Sequence, residues 1–182
     1  GTAGVALGAH NGHPNLAAEM DYAIIVGGCV SCSTIQGARL AYVTPSGNMP
    51  HSLSLIIGET VQSIEAFDRH MPQEVPRISL VDTFRDESED AINAARSLRD
   101  RLRGIRLGTP DKSSKVSAAL VSEIRARLDL AGFRHVEIMV SGGFTPEKIR
   151  QMVSENTPVD SFGVGYYISS AEPNPFTANI QE

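Results

Sequence analysis

The chain has 182 residues, of which 41% are hydrophobic, and its formal net charge is −5 at pH 7. This composition suffices for one buried core, and the dispersed, net acidic charge argues against nucleic acid as the main partner, since that needs a clustered basic surface. The longest apolar run is far shorter than a membrane span, the N-terminus lacks a signal-peptide pattern, and two cysteines are too few for a disulfide scaffold. We therefore expect a cytoplasmic protein with no membrane or nucleic-acid partner.

The N-terminal half predicts one strand, two helices and a turn. The apolar run Tyr22–Val26, which is followed by two glycines, predicts a strand covered on both faces. A short helix is predicted at Ser33–Leu40, and a longer one at Glu59–Met71, where apolar residues recur at helical spacing before a proline. A turn at residues 45–47 precedes His51.

The C-terminal half alternates strands with helices, which is the pattern of a parallel α/β protein. Strands are predicted at Arg77–Val81, Gly104–Leu107, His135–Val140 and Asp160–Val164. Helices are predicted at Ser88–Leu102, Ser114–Leu130 and Pro146–Val153, and the tail after Ser170 is predicted to be a surface arm. Together these elements give about five to six βα units, so we predict an α/β fold, an incomplete or irregular (β/α) barrel that forms a single domain over residues 1–182.

Two glycine-containing segments follow the last two predicted strands. Ser141, Gly142 and Gly143 end one strand and run into a helix start, and Gly163 and Gly165 end the next strand. Glycine lets the backbone come close to a ligand, and free N–H groups at such positions bind phosphate without a lysine. We therefore predict that these five residues form a phosphate-binding cup, called the phosphate cup below. Ordinary turn glycines of an α/β protein are the alternative.

Reactive side chains in parallel α/β proteins lie at the carboxyl ends of the strands. This rule selects Asp82, Arg106 and Ser141, with His51 just after a turn. They offer a carboxylate for a metal ion or ribose hydroxyls and a guanidinium for a phosphate or a planar acid, which together suit a phosphosugar. The structural alternatives are that Asp82 caps a helix and that Arg106 pairs with an acidic helix face.

Two pairs of potential metal ligands lie near the N-terminus. Cys29 and Cys32 form a C-x-x-C and His10 and His13 an H-x-x-H, so a zinc site is conceivable. Pairs of this kind recur by chance, and the cysteines lack the flanking aromatic residue of a thioredoxin-type motif. We therefore expect buried, inert thiols and no zinc.

Several runs of residues together resemble nicotinate phosphoribosyltransferase, in particular its archaeal-type branch. The resemblance covers nearly all of the chain in order and rests on the runs Gly12–Pro14, Tyr22–Gly28, Pro45–His51, Glu74–Phe84, Ser141–Gly143 and Asp160–Gly165. It implies a type II phosphoribosyltransferase of NAD biosynthesis. In that reaction nicotinate displaces pyrophosphate from phosphoribosyl pyrophosphate to give nicotinate mononucleotide, with Mg²⁺ on the leaving pyrophosphate and with ATP as a co-substrate.

The resemblance also implies roles for the residues selected above. His51 would match the histidine that takes a phosphoryl group from ATP, Asp82 would lie by the ribose and the Mg²⁺, and Arg106 would lie by the substrate or the diphosphate. The glycines of the phosphate cup would bind the 5′-phosphate.

The chain departs from that family at four positions. His10 and Asn11 stand where the family usually has two arginines, and Val30 and Gly108 stand where it usually has aspartates. Each lost charged hydrogen bond weakens ligand binding by ~1.5–3 kcal/mol. A catalytically impaired homologue or subunit that binds a phosphosugar or nucleotide is therefore one alternative. A quinolinate-type or other phosphoribosyltransferase with a different acceptor is another.

We also expect the family's N-terminal α/β domain to be absent from this chain. In the family that domain helps to enclose nicotinate and packs against the partner's barrel in the dimer. The resemblance therefore implies a homo-oligomer or a partner chain that supplies the domain, with phosphoribosyl pyrophosphate and nicotinate as the small-molecule partners.

Overall fold

Five parallel strands form one sheet in the computed structural model, which describes residues 3–7, 12–47, 49–84, 86–108 and 116–169. The strands are β1 (Ala3–Ala6), β2 (Arg77–Leu80), β3 (Leu102–Gly108), β4 (Glu137–Ser141) and β5 (Ser161–Val164). Their order across the sheet is β1-β5-β4-β3-β2. From β2 to β5, consecutive strands are therefore neighbours, and each parallel pair is joined by a helical crossover.

The helices lie before β2, between the later strands and, for the last helix, after β5. They are α1 (Ala17–Val26), α2 (Ile35–Leu40), α3 (His51–Ile57), α4 (Thr60–His70), α5 (Glu87–Leu98), α6 (Ala118–Leu130), α7 (Pro146–Ser154) and α8 (Tyr166–Ser169). Short 3-10 turns occupy Pro14–Leu16 and Arg99–Arg101. Across the described ranges, no helix has the length and apolar character needed to cross a membrane.

The sheet continues beyond β1 as an irregular wall. Ser31 forms a parallel bridge with Val5, and the Ser46 N–H donates to the Cys32 carbonyl at 2.9 Å. The hydroxyls of Ser31 and Ser46 also form a hydrogen bond of 2.8 Å. Within the described part of the chain, no backbone hydrogen bond joins Ser46 to β2, so the ring of strands stays open at this seam. The predicted α/β fold, an incomplete barrel, is confirmed.

The main apolar core lies on one face of the sheet. Ile105 lies opposite Ile138 and Leu107 opposite Val140 in the register of β3 and β4, and all four side chains are completely buried. They belong to one cluster with apolar residues of α4, α5, α6 and α7. Full burial of such a side chain stabilises the fold by roughly 1.5–3 kcal/mol. The alternate residues of β3 and β4 carry the other face, where the polar site described below is found.

Hydrogen bonds from Arg77 connect the start of β2 to the end of α4. Its buried guanidinium donates from Nε to Asp68 Oδ1 at 2.9 Å, and its two terminal nitrogens donate to the carbonyls of Asp68, Met71, Pro72 and Val75. The last carbonyls of a helix have no partner within the helix, and a cation there satisfies them. A single arginine therefore fixes the direction in which the chain enters the sheet.

The predicted strand at Tyr22–Val26 is wrong, because these residues form the second half of α1. Asp21 and Ile24 of this helix are buried, whereas Tyr22 and Val26 are exposed. The exposed side chains make the helix apolar on both its buried and its outer surface. An apolar run of five residues does not separate a period of 2 from a period of 3.6.

The remaining predicted elements are present with shifted ends. The short helix before residue 45, the helix after residue 59, four strands and three later helices all match, and Gly132 at φ 87° follows the end of α6. The sequence pattern indicates neither β1 nor α3. Residues 114–115 of the predicted helix, the tail after Ser170, and both His10 and Asn11 lie outside the described residues.

Candidate active site

The carboxyl ends of β2, β3 and β4 bring three of the predicted site residues together. Arg106 lies opposite Leu80 of β2, and Gly108 lies opposite Ser141 of β4. Asp82 follows β2 after one residue, so it stands at the same edge of the sheet. The carboxyl ends of parallel strands share one edge, and the structure brings Asp82, Arg106 and Ser141 together there.

His51 reaches the same edge from outside the sheet. It is the first residue of α3, which follows Pro50 in an extended conformation and ends at Gly58 in the left-handed region at φ 89°. His51 Nε2 lies 3.2 Å from Asp82 Oδ1. A carboxylate only accepts hydrogen bonds, so Nε2 carries the proton and donates to Asp82. The structure thus joins two predicted site residues that are far apart in the sequence.

Asp82 is held on both of its oxygens. Oδ1 accepts from His51, and Oδ2 accepts from the Gly108 N–H at 2.8 Å. The side chain of Asp82 is 6% exposed. Asp82 therefore links α3 to the end of β3, and the N-cap of the helix that follows it is Asp86 instead. The helix-capping alternative for Asp82 does not hold.

Arg106 is anchored by Ser141. Its Nε donates to Ser141 Oγ at 2.9 Å, and the Ser141 hydroxyl donates in turn to the Leu107 carbonyl at 3.3 Å. Burial lowers the pKa of the Arg106 guanidinium, and the negative charge of Asp82 partly offsets this. No ion pair joins Arg106 to an acidic side chain in the part of the chain that the structure describes, so the pairing with an acidic helix face is not observed.

The first loop of the phosphate cup follows β4. Gly142 and Gly143 both have positive φ, at 95° and 62°, a conformation that side chains strongly disfavour. Neither N–H has a hydrogen-bond acceptor among the residues described. Two residues later Thr145 caps α7, whose first residue is Pro146. Two N–H groups without an acceptor therefore stand just before a helix start, which is the arrangement that the predicted phosphate cup requires.

The second loop of the cup lies beside the first. Ser141 and Gly163 are opposite each other in the register of β4 and β5, and Phe144 packs edge-on against Phe162 with ring centroids 5.4 Å apart. Gly163 lies within β5, whereas Gly165 follows it and accepts the Ile168 N–H at 3.0 Å. The predicted adjacency of the two segments is confirmed, and their phosphate-binding role stays a prediction.

Gly163 has a packing constraint of its own. A Cβ atom built on it would lie 2.5 Å from Leu7 Cδ1, 2.9 Å from Ser141 Cβ and 3.0 Å from Met139 Cε. Distances under about 3 Å require a neighbour to move. The glycine at 163 is therefore needed to pack the sheet, whatever else its backbone does.

Mg²⁺ is the metal ion that the resemblance implies for this site. Among the described residues, no three His, Cys, Asp or Glu side chains are grouped to hold a metal, and Asp82 is the one carboxylate among the predicted site residues. Mg²⁺ keeps several waters and typically binds through one or two carboxylates plus substrate phosphates. Asp82 therefore fits an ion on a diphosphate rather than a resident metal site.

The residues of the conceivable zinc site have other contacts where they are described. His13 Nδ1 accepts the Asn15 N–H at 3.2 Å. Burial raises the pKa of both the Cys29 and Cys32 thiols, and for Cys32 the Asp21 carboxylate raises it further. Cys32 is a buried thiol, as the sequence predicts, whereas Cys29 is only partly buried.

The sequence gives no sign that Gly108 takes part in the site through its N–H. From the sequence, residue 108 is notable only because the family usually has an aspartate there. In the structure, the Gly108 N–H donates to Asp82, and the absence of a side chain leaves space for Arg106. A glycine at the end of a predicted strand, two residues after the selected Arg106, is the one signal that could have pointed to it.

Known proteins share this fold and much of the sequence. The family model described as "Quinolinate phosphoribosyl transferase, C-terminal domain" matches residues 2–177. The nicotinate phosphoribosyltransferase pncB2 of Mycobacterium tuberculosis is 30% identical over 174 residues, which cover 94% of this chain and 36% of the relative. The chain thus spans about a third of the length of that curated relative.

Solved structures agree. The nicotinate-nucleotide pyrophosphorylase of Pyrococcus furiosus superposes with a TM-score of 0.86 at 38% identity, over 94% of this chain and 43% of that chain. The human nicotinic acid phosphoribosyltransferase superposes with a TM-score of 0.62 at 17% identity, over 88% of this chain and 43% of that one, and shares the fold.

Proposed function

Because the chain belongs to the family of quinolinate phosphoribosyl transferase C-terminal domains, we propose that it is the barrel portion of a type II phosphoribosyltransferase of NAD biosynthesis. The proposed reaction joins nicotinate to phosphoribosyl pyrophosphate, forms nicotinate mononucleotide and releases pyrophosphate, with coupling to ATP. The relatives named nicotinate phosphoribosyltransferase and nicotinate-nucleotide pyrophosphorylase support this acceptor.

One observation carries the proposal. The His51–Asp82–Gly108 hydrogen-bond chain and the Arg106–Ser141 pair meet at one edge of the sheet, beside the two glycine loops. A basic group, a carboxylate and free amides at one edge are what a phosphosugar with a leaving diphosphate requires.

His51 is suited to ATP coupling by its tautomer. Nε2–H donates to Asp82, so the lone pair of Nδ1 is available, and Nδ1 has no protein partner among the described residues. In the proposed step Nδ1 attacks the γ-phosphorus of ATP, the bond from that phosphorus to the bridging oxygen breaks, and ADP leaves with the electron pair. Asp82 orients the ring and stabilises the positive charge that develops on it.

The ribosyl transfer needs charge stabilisation more than covalent chemistry. The ribose C1 passes through a cation-like state, so the groups around it must hold both anionic ends of the sugar in place. We assign the 5′-phosphate to the amides of Gly142 and Gly143 and the diphosphate or the acceptor to Arg106. When bound, Mg²⁺ would neutralise charge on the departing pyrophosphate, with Asp82 as the protein carboxylate beside it.

The proposal is tested by product formation. The full chain is incubated with phosphoribosyl pyrophosphate, Mg²⁺, ATP and nicotinate, with and without a chain that supplies the N-terminal domain, and nicotinate mononucleotide is measured by chromatography. We expect nucleotide product and ADP. In His51→Ala, ATP should no longer stimulate the reaction, whereas slow, ATP-independent transfer remains. ATP stimulation that is unchanged in His51→Ala removes this residue from the coupling.

A binding module without catalysis is the second candidate function, and Val30 and Gly108 favour it. The resemblance implies aspartates at these two positions, and their replacement by valine and glycine removes two carboxylates that would otherwise add to Asp82. Retained binding of ribose 5-phosphate in calorimetry, with no nucleotide formed under any condition, would support this candidate. Product formed from quinolinate in place of nicotinate would instead identify a different acceptor.

The assembly and the location are part of the same proposal. The chain spans 36% and 43% of the relatives above, so we infer that an N-terminal domain from a longer chain, a partner chain or a second copy completes the acceptor pocket. We assign the reaction to the cytoplasm, where free nucleotides and pyrophosphate are available. Product that forms only when the domain is added back would support the assembly.

A further inference from the structure

Ser141 stands between two glycines in one row across the sheet. In the register of the strands, Gly108 of β3 and Gly163 of β5 lie on either side of it. A Cβ atom at Gly108 would lie 2.5 Å from Ser141 Oγ, and one at Gly163 would lie 2.9 Å from Ser141 Cβ. Neither glycine is among those with positive φ, so the backbone conformation would accept a side chain at both positions. The space that Ser141 needs therefore requires a glycine on both sides of it.

The hydroxyl of Ser141 is already engaged within the protein. A hydroxyl has one proton to donate and two lone pairs with which to accept. Oγ accepts from Arg106 Nε at 2.9 Å and donates its proton to the Leu107 carbonyl at 3.3 Å, and Ser141 is 2% exposed. The oxygens of a phosphate dianion only accept hydrogen bonds. A buried hydroxyl whose proton is already donated is therefore poorly suited to bind the 5′-phosphate.

Arg106 is held at one nitrogen and open at the other two. Nε bonds Ser141, and Nε and Nη2 lie 3.1 and 3.2 Å from the position of a Cβ at Gly108, so the guanidinium lies over that glycine. Neither terminal nitrogen has an acceptor among the described residues, and neither is closed off from solvent. Because the guanidinium is planar, a hydrogen bond at Nε also fixes the direction in which the two terminal nitrogens point.

Asp82 does not hold the guanidinium in place. Its Oδ1 accepts from His51, and its Oδ2 accepts from the Gly108 N–H. Burial lowers the pKa of Arg106, and the negative charge of Asp82 partly offsets this without a hydrogen bond between the two residues. In the part of the chain that the structure describes, Ser141 is thus the side chain that orients Arg106.

We propose that Ser141 is a positioning residue, which orients Arg106 so that its terminal nitrogens bind the diphosphate. A forked pair of N–H donors matches two oxygens of a phosphate group in a bidentate manner. The 5′-phosphate is then bound by the main-chain amides of Gly142 and Gly143 and not by the Ser141 hydroxyl. This inference rests on the proposed function for the identity of the diphosphate, and it separates Ser141 from the other residues of the phosphate cup.

The experiment distinguishes the two ligands by filling one site first. Calorimetry on the full chain measures the affinity for ribose 5-phosphate alone, and then the affinity for pyrophosphate with Mg²⁺ while ribose 5-phosphate is saturating. Ser141→Ala removes the hydroxyl, and Ser141→Thr keeps it. Ser161→Ala is the matched control, because Ser161 lies on the same face of the sheet and its hydroxyl has no hydrogen bond within the described ranges.

The expected result is a selective loss of pyrophosphate affinity. Ser141→Ala should weaken pyrophosphate binding roughly tenfold, the lower end of the effect of one hydrogen bond to a charged group, and leave ribose 5-phosphate within about twofold of wild type. Ser141→Thr should restore the pyrophosphate affinity, and Ser161→Ala should change neither ligand. Ser141→Ala should have no further effect in an Arg106→Ala background, because Ser141 acts through Arg106.

Three results would overturn the inference. A loss of ribose 5-phosphate affinity in Ser141→Ala with pyrophosphate affinity unchanged would show that the hydroxyl serves the phosphate cup. An equal loss for both ligands would show that Ser141 only packs the sheet. A wild type that binds no pyrophosphate would remove the diphosphate from Arg106.

The proposed function fails separately from this inference. If no nucleotide forms while pyrophosphate affinity still falls selectively in Ser141→Ala, the proposed reaction is wrong and the inference stands. If nucleotide forms and the pyrophosphate affinity of Ser141→Ala equals that of wild type, the inference is wrong and the reaction stands.

A second variant keeps the inference testable if Ser141→Ala does not fold. Ser141→Cys has nearly the same shape, but its thiol is a weak donor and a weak acceptor. We expect pyrophosphate affinity to fall several-fold in Ser141→Cys, with ribose 5-phosphate affinity unchanged. Pyrophosphate affinity equal to that of wild type would count against the positioning role.

Discussion

The substitution Gly163→Ala separates packing from phosphate binding at one residue of the phosphate cup. The added Cβ would lie 2.5 Å from Leu7 Cδ1, 2.9 Å from Ser141 Cβ and 3.0 Å from Met139 Cε. Leu7 and Met139 present the ends of flexible side chains, whereas Ser141 Cβ is fixed to β4. Some strain therefore remains after the flexible side chains have moved.

Overpacking of this kind costs roughly 1–3 kcal/mol. For a chain of this size, 1 kcal/mol lowers the melting temperature by about 2–4 °C, so Gly163→Ala should melt roughly 2–12 °C below wild type. The measurement is thermal unfolding followed by circular dichroism. Gly47→Ala is the control, because a Cβ at Gly47 meets nothing within 4 Å and its φ is not positive. That control should stay within ~0.5 kcal/mol of wild type.

The double variant Leu7→Ala/Gly163→Ala tests the stated cause. Removing the Leu7 methyl groups relieves the shortest contact. The loss of stability in the double variant should therefore be smaller than the sum of the losses in the two single variants. Calorimetry with ribose 5-phosphate then measures whether Gly163 also contributes to phosphate binding. Unchanged melting in Gly163→Ala, or full additivity with Leu7→Ala, would refute the packing argument. A loss of phosphate affinity without a loss of stability would show that the backbone at 163 serves the ligand.

Two further outcomes follow from the contacts of Arg77 and the thiols. Arg77→Met leaves four carbonyls without their donor and leaves Arg101 as the remaining partner of the Asp68 carboxylate, so urea denaturation should show a loss of about 1–3 kcal/mol, and a loss under about 0.5 kcal/mol would contradict this account. The pKa of Cys29 and of Cys32 lies above its ordinary value of 9.0, so their stabilising contribution is complete below that pH and is lost as the pH rises through the raised pKa. The urea midpoint of wild type should therefore fall more steeply between pH 8 and 10.5 than that of Cys29→Ala/Cys32→Ala, and parallel curves would argue against buried thiols.

The sequence predicts the C-terminal half well because its signals are local. Strands β2 to β5 alternate with helices that have clear apolar stripes and stop signals, such as Gly132 after α6. Parallel topology then places Asp82, Arg106 and Ser141 at one edge, since that edge is common to all parallel strands. Asp82 and Ser141 also lie in runs that carry the resemblance to nicotinate phosphoribosyltransferases, and the comparisons confirm that resemblance.

The N-terminal half is harder because its structure depends on distant partners. Ala3–Ala6 is composed of small residues with little strand preference, and it becomes a strand because it pairs with β5, more than 150 residues away. All five residues of Tyr22–Val26 are apolar, so their pattern does not distinguish the periodicity of a strand from that of a helix. α3 has signals at both ends, Pro50 and Gly58, but its seven residues contain one buried polar side chain, Ser54, that breaks the apolar pattern.

The hydrogen bond between His51 and Asp82 also bridges the open seam of the barrel. Met49 belongs to the same apolar cluster as Leu80 of β2, and the hydrogen bond from His51 to Asp82 crosses the seam two residues further along each segment. In the described residues this pair is the hydrogen bond that joins the chain around residue 50 to the end of β2. Phosphoryl transfer to Nδ1 would leave Nε2–H free to keep that bond, and the added negative charge would raise the proton affinity of the ring. Phosphorylation of His51 at Nδ1 is therefore compatible with a His51–Asp82 hydrogen bond that persists throughout the reaction. Phosphorylation at Nε2 would break this hydrogen bond and release Asp82.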